Sequence, residues 1–289
     1  MAAPVTTLVE EEEIIQYLHP YLLTLNYEKY AVKLLVIFTA LLLFSTLFLV
    51  SWIIFSPLAA FRSLRIKEKI FWNLAVVRAV FGVAASVIGA WTIFTHTNYH
   101  RDIVFGQTAT GSFTMNATIG FFLFECIALI TSDIIFHSFS CLLHVHHMFC
   151  TIVAAVVTLS EAGYSLSLMS LSLEMSTPFS AVCWILLKSG MGSTKYWLIN
   201  QMILLHTFHL RSVVECYIWW LTFKEWSIIW KSMPWITFVT GYTALALFTF
   251  IATPYWGYKK TLQLANPVDW NFESNARNPV QNGHTTKLE

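Results

Sequence analysis

Charge is what this chain has least of. Asp, Glu, Lys and Arg make up 11% of its 289 residues, where a soluble domain carries about 25%. So little polar surface cannot face water on every side, which excludes a freely soluble globular fold. The charge that remains is nearly balanced, with a formal net of +1, so no basic face is available for a nucleic acid. Cysteine is sparse and unpatterned. Cys126, Cys141, Cys150, Cys183 and Cys216 sit within or at the ends of apolar segments and form no CxxC pair, which excludes a disulfide framework. The start, MAAPVTTLVEEEE, is acidic where a cleavable signal peptide would be basic. The set of HxxxH and HxxHH boxes that marks membrane di-iron enzymes is lacking too, since no HxxHH occurs and the HxxxH spacing of His96 and His100 lies in a polar loop, and no metal is expected.

What is abundant is apolar: 56% of residues are hydrophobic and 16% aromatic. The reading is an all-α polytopic membrane protein with about seven transmembrane helices. The expected spans are Leu34–Phe55, Asn73–Phe94, Ala117–Phe136, Cys141–Leu159, Tyr164–Leu187, Trp197–Leu221 and Trp235–Tyr255, each long enough for the hydrocarbon core. A polar lead (1–30), one membrane domain (31–258) and a polar tail (259–289) are expected. Lysine and arginine favour one side, with FRSLRIKEK, the Lys188–Lys195 loop and the tail together. The positive-inside rule makes that side, and the carboxyl terminus, cytosolic. On the opposite side Asn116-Ala117-Thr118 forms a glycosylation sequon close to the membrane.

Inside the fourth span, LLHVHHMFC sets His144, His146 and His147 in an apolar run. Polar groups at that depth are expensive and mark a site by default. At about 100° per residue His144 and His147 share one side of the helix and His146 points elsewhere. His206 and His209 share a face of the sixth span by the same spacing. Around them lie Arg78, Glu125, Asp133, Glu174, Arg211 and Glu215, all inside expected spans. A neutral imidazole serves as general base, nucleophile or metal ligand. Metal binding, acyl transfer with one histidine as base or acyl carrier, and a purely structural or lipid-recognising network all fit this residue set. Arg211 and Glu215, four apart, either neutralise each other or leave a guanidinium for an anionic head group.

The stretch LLHVHHMFCTIVAAVVTLSEAGYSLSLMSLSLEMSTPF, with KEKIFWNLAVVRAVFGV, QMILLHTFHLRSV and TPYWGYKKTLQLANPVDWNF, resembles the TLC family and, within it, the lipofuscinosis branch. The resemblance runs from about Lys67 to Phe272 and implies a TLC-type helical bundle with its core at about 62–258. It implies an endoplasmic-reticulum membrane protein cycling to the intermediate compartment before the Golgi. It also implies a lipid acyltransferase, with acyl-CoA as co-substrate and a glycerophospholipid precursor such as glycerophosphoglycerol as acceptor. The adjacent histidines of the family's ceramide synthases match His146 and His147, and their later acid falls near Glu174. Their earlier His-Asp falls on Ser170 and Leu171, a departure that takes away the sphingoid-base assignment. With His206 and His209 added from the sixth span, the expected catalytic set is His146, His147, Glu174, His206 and His209, with Arg78, Glu125 and Arg211 binding substrate. The branch implies another reading, a cargo receptor carrying new lysosomal enzymes from the endoplasmic reticulum to the Golgi, and the same pocket without turnover would be a non-catalytic lipid sensor. The partners implied are membrane lipids, lysosomal-enzyme cargo, coat machinery and a second copy of the chain.

Overall fold

The computed structural model describes residues 17–18, 20–95, 101–137 and 141–269. Within them the helices are α1 (Tyr30–Phe55), α2 (Ala59–Arg62), α3 (Ile66–Phe94), α4 (Ala109–Phe136), α5 (Cys141–Ser160), α6 (Tyr164–Leu171), α7 (Thr177–Lys188), α8 (Lys195–Lys224), α9 (Trp226–Ser232), α10 (Trp235–Leu247) and α11 (Thr253–Ala265). There is no strand among the described residues. In lipid this follows from the backbone, because only a helix or a closed barrel satisfies every amide within the span.

Six helical stretches are long and apolar enough to cross a membrane. The expected span outside those six is the sixth, α8, whose 30 residues exceed the membrane's thickness at 1.5 Å per residue. It is more polar than the others because it carries His206, His209, Arg211 and Glu215. Polar side chains set several helix starts. Thr108 Oγ1 accepts from Gly111 N at 3.1 Å at the start of α4, and Thr194 Oγ1 accepts from Trp197 N at 3.3 Å at the start of α8. Each hydroxyl satisfies an amide that the first turn leaves without a helical partner.

Two spans expected to be continuous are broken. The fifth passes from α6 through a 3₁₀ turn, Ser172–Ser176, into α7. Pro178 lies in the first turn of α7. It has no N–H to give the carbonyl four residues back, which belongs to Glu174. The seventh passes from α10 through a π-turn, Phe248–Ala252, into α11, with Pro254 playing the same part. Helical turns of unusual pitch inside long helices are frequent at functional sites. Beyond the second break α11 continues to Ala265, so the tail expected from residue 259 begins as helix. Asp269 is also buried.

The core packs α1, α3, α4 and α5 around aromatics, with Phe81 and Phe121 stacked at 3.7 Å and Phe44 edge-on to Phe121. Small residues let the backbones approach. A Cβ on Gly89 would collide with the backbone of Ser172 in the 3₁₀ turn, where no side chain can swing aside. Gly89→Ala is therefore expected to destabilise the bundle by about 1–3 kcal/mol, measured as a lower melting midpoint in detergent. An unchanged midpoint would show that the contact is soft.

Ion pairs tie the two ends. At one end Lys33 Nζ meets Glu161 Oε1 at 2.7 Å and donates to Thr158 O at 3.0 Å. At the other, Lys188 Nζ bridges Glu68 Oε1 at 2.8 Å and Asp269 Oδ2 at 2.6 Å. The sequon does not lie in an accessible loop. Asn116 is fully buried in α4 and its amide donates to Ser112 O at 2.7 Å, so this fold leaves no room for a glycan there.

Candidate functional site

Helix α5 sorts its three histidines as helical spacing requires. His144 and His147 face α4: His144 Nε2 lies 3.3 Å from Asp133 Oδ2, and His147 Nδ1 lies 3.5 Å from Glu125 Oε2. That second approach is too long for a good hydrogen bond, and His147 Nδ1 has no other partner among the described residues. His146 turns toward open space instead. Its ring stands edge-on to Trp256 at 5.4 Å and Phe248 at 5.3 Å, and its Nδ1 is 3.9 Å from Cys150 Sγ. The two adjacent rings are 5.1 Å apart, with Phe122 beside both.

That open space is two cavities. The larger, about 680 Å³, sets charged groups in a partly apolar wall and reaches the end of the bundle that carries Lys188. It is lined by His146, His147 and Glu174, by four cations (Arg78, Arg211, Lys259 and Lys260) and by Asp269. The other is walled mainly by apolar side chains, among them Met115, Val153, Ala154, Leu171, Ile218 and Leu245, and extends toward Gly163 and Met233 at the opposite end. Phe122, His146, Glu174 and Arg211 line both. A charge-lined chamber thus joins an apolar one at a histidine, a carboxylate and a guanidinium.

The two helix breaks build that junction. The 3₁₀ turn holds Glu174 at the wall, where Thr177 Oγ1 donates to Glu174 Oε2 at 2.5 Å. The π-turn places Phe248 against His146. Arg211, on α8, is 6% exposed. It donates from Nη1 to Ser176 Oγ at 3.0 Å and from Nη2 to Thr253 Oγ1 at 3.2 Å. Thr253 in turn donates to Glu215 Oε1 at 2.6 Å. The direct Arg211–Glu215 pair that the spacing allows is replaced by this hydroxyl relay.

Several residues expected at the site sit elsewhere, so the set is redrawn by position. His206 and His209 share a face of α8, with ring centroids 6.1 Å apart, but that face is exposed on the outside of the bundle. His206 Nδ1 lies 2.7 Å from Met202 O. They do not join His146. Arg78 and Glu125, expected to hold substrate, hold each other, with Nη2 to Oε2 at 2.6 Å and Nε to the same oxygen at 2.9 Å. Glu125 is fully buried and its Oε1 has no partner among the described residues. Its place is behind His147, while Arg78 still lines the chamber. Lys259, Lys260, Phe248 and Trp256 are not singled out by the sequence pattern. A signal for them exists in TPYWGYKK, where two lysines follow an apolar run about one and a half helical turns beyond a Pro. Among the described residues no three His, Cys, Asp or Glu side chains converge as a metal-binding group.

Comparison with known proteins agrees with this architecture. The TLC-domain profile matches residues 71–260. Protein CLN8 of Homo sapiens is 42% identical over 219 residues, covering 74% of this chain and 75% of that protein. Protein CLN8 of Mus musculus is 40% identical over 219 residues with the same coverage. No solved structure matches the chain. A profile match across the bundle, together with such relatives, establishes that this multi-pass helical membrane protein belongs to the TLC-domain family.

Proposed function

We propose that the chain is an acyl-CoA-dependent lipid acyltransferase of the endoplasmic-reticulum membrane, with a glycerophospholipid precursor such as glycerophosphoglycerol as acceptor. The observation that carries this reading is the position of His146, at the junction of a cation-lined chamber and an apolar cavity. An acyl thioester has those two halves, a polyanionic nucleotide and a hydrocarbon chain, with the reacting carbonyl between them. Lys259 and Lys260 suit the phosphates. The apolar cavity suits the chain. By the positive-inside rule the end with Lys188, Lys259 and Lys260 faces the cytosol, where acyl-CoA is made.

His146 acts as general base. It takes the proton of the acceptor hydroxyl as that oxygen bonds to the thioester carbonyl carbon. The carbon–sulfur bond then breaks, and the departing CoA sulfur takes the proton from the imidazolium. One ester bond replaces one thioester bond, with no change of oxidation state. His147 stands behind His146, packed against Glu125 of the Arg78–Glu125 pair. Glu174 stands across the junction, where a carboxylate favours the imidazolium that forms in passing.

The test is purified protein reconstituted in phosphatidylcholine vesicles with radiolabelled oleoyl-CoA and glycerophosphoglycerol. Acylated product and free CoA are expected in equal amounts. Absence of product with this acceptor and with lysophospholipids would overturn the enzyme reading and leave a lipid sensor or cargo receptor.

A further inference from the structure

Arg211 is a cation buried without a carboxylate beside it. It is 6% exposed, yet among the described residues no acidic oxygen lies within ion-pair distance of its guanidinium. Glu174 lines the same junction without forming an ion pair with the guanidinium, and a relay through the hydroxyl of Thr253 leads on to Glu215. Its Nε meets no partner among the described residues. A buried charge left incompletely paired is strongly unfavourable, and an anionic ligand would complete the arrangement. The guanidinium is also held in place. Ser176 and Thr253 fix its two Nη groups, and the rings of Phe208 and Trp256 lie 5.4 and 5.9 Å from its central carbon. Those rings offer their π faces and no charge. The other cations of the chamber differ: Arg78 is taken by Glu125, and Lys260 Nζ donates to Gln263 Oε1 at 3.0 Å.

From this geometry we infer that Arg211 is the site that reads the phosphate of the acceptor, making the enzyme selective for hydroxyl acceptors that carry a phosphodiester. This rests on the acyltransferase reading and deepens it. Arg211 lines both cavities with His146, so an anion held there keeps the rest of the same small molecule close to the base. A planar guanidinium suits the paired oxygens of a phosphodiester. A neutral glycerol acceptor leaves the charge uncompensated and an amine acceptor adds a second cation, so both are disfavoured. The phosphates of CoA are assigned to Lys259 and Lys260, which follow the junction on α11.

Initial rates with oleoyl-CoA are compared for glycerophosphoglycerol and for monooleoylglycerol, in the wild type and in Arg211→Gln. Losing a hydrogen-bonded charge should raise the KM for glycerophosphoglycerol roughly 10- to 100-fold. The KM for oleoyl-CoA should stay as it was, and the preference for glycerophosphoglycerol over monooleoylglycerol should narrow. A wild type indifferent to the phosphodiester, or a KM increase that falls on oleoyl-CoA, overturns the inference while leaving the acyltransferase reading intact. If Arg211→Gln fails to fold, Ser176→Ala, which frees one Nη group, decides in its place by raising the same KM by a smaller factor. Without any turnover, melting in the presence of glycerophosphoglycerol still decides: stabilisation of the wild type and not of the variant is expected. Equal shifts in both overturn it.

Discussion

His146→Ala is expected to reduce acyl transfer by roughly 10²- to 10⁴-fold, the contribution of a positioned general base. The ring lines both cavities, is partly open to them, and makes no ion pair among the described residues. Removing it takes away edge-on ring contacts but no ion pair, so the melting midpoint should fall less than in His147→Ala while the rate collapses. His147→Ala should behave differently. That ring is 5% exposed and lies against Glu125, so its loss leaves a hole in the core and lowers stability as well as rate. The contrast between the neighbours separates a residue that meets substrate from one that positions it. Initial rates of both variants at saturating oleoyl-CoA, read beside their melting curves, make the measurement. A His146→Ala protein within twofold of wild type would end the case for this base.

The helical period made much of this site legible in advance. Three-residue spacing set His144 and His147 on one side of α5, and both meet α4, at Asp133 and Glu125. The position of Glu174 on the fifth span was also readable. What the period could not show is which side of a helix faces the bundle. His206 and His209 have the same spacing as His144 and His147, but α8 turns them outward and sends Arg211 and Glu215 in. Opposite charges on different helices carry no pairing signal in one chain, so Arg78 and Glu125, 47 residues apart, looked like two ligands. The breaks at Glu174 and Phe248 were visible only as Pro178 and Pro254. Proline announces that a helix will bend or restart, but the direction of the bend depends on packing with other spans. The end of α11 was misplaced because GYKKTLQLANP is polar enough to read as tail. Its helix continues because Gln201 Nε2 donates to Lys260 O at 2.6 Å and Gln263 Nε2 donates to Val268 O at 2.8 Å.

Arg78→Met is expected to destabilise the protein by about 3–5 kcal/mol, the cost of removing one partner of a buried pair. The asymmetry of the pair decides which half matters more. Glu125 is fully buried, whereas the Arg78 side chain is 14% exposed and lines the charge-lined chamber. Without Arg78 the carboxylate is left in the core with only His147, 3.5 Å from its Oε2, as a basic neighbour. Without the carboxylate, as in Glu125→Gln, the guanidinium still reaches water in the chamber, and a carboxamide oxygen still accepts its hydrogen bond. That variant should therefore lose less stability. Deleting both charges in Arg78→Met/Glu125→Leu removes the desolvation cost together with the attraction, so much of the stability lost in Arg78→Met should return. Melting of the two singles and the double closes a thermodynamic cycle. Additive losses, with no recovery in the double, would show that the two residues act through separate contacts. Recovery of stability without recovery of transfer would assign the pair its second task, holding His147 in register behind His146.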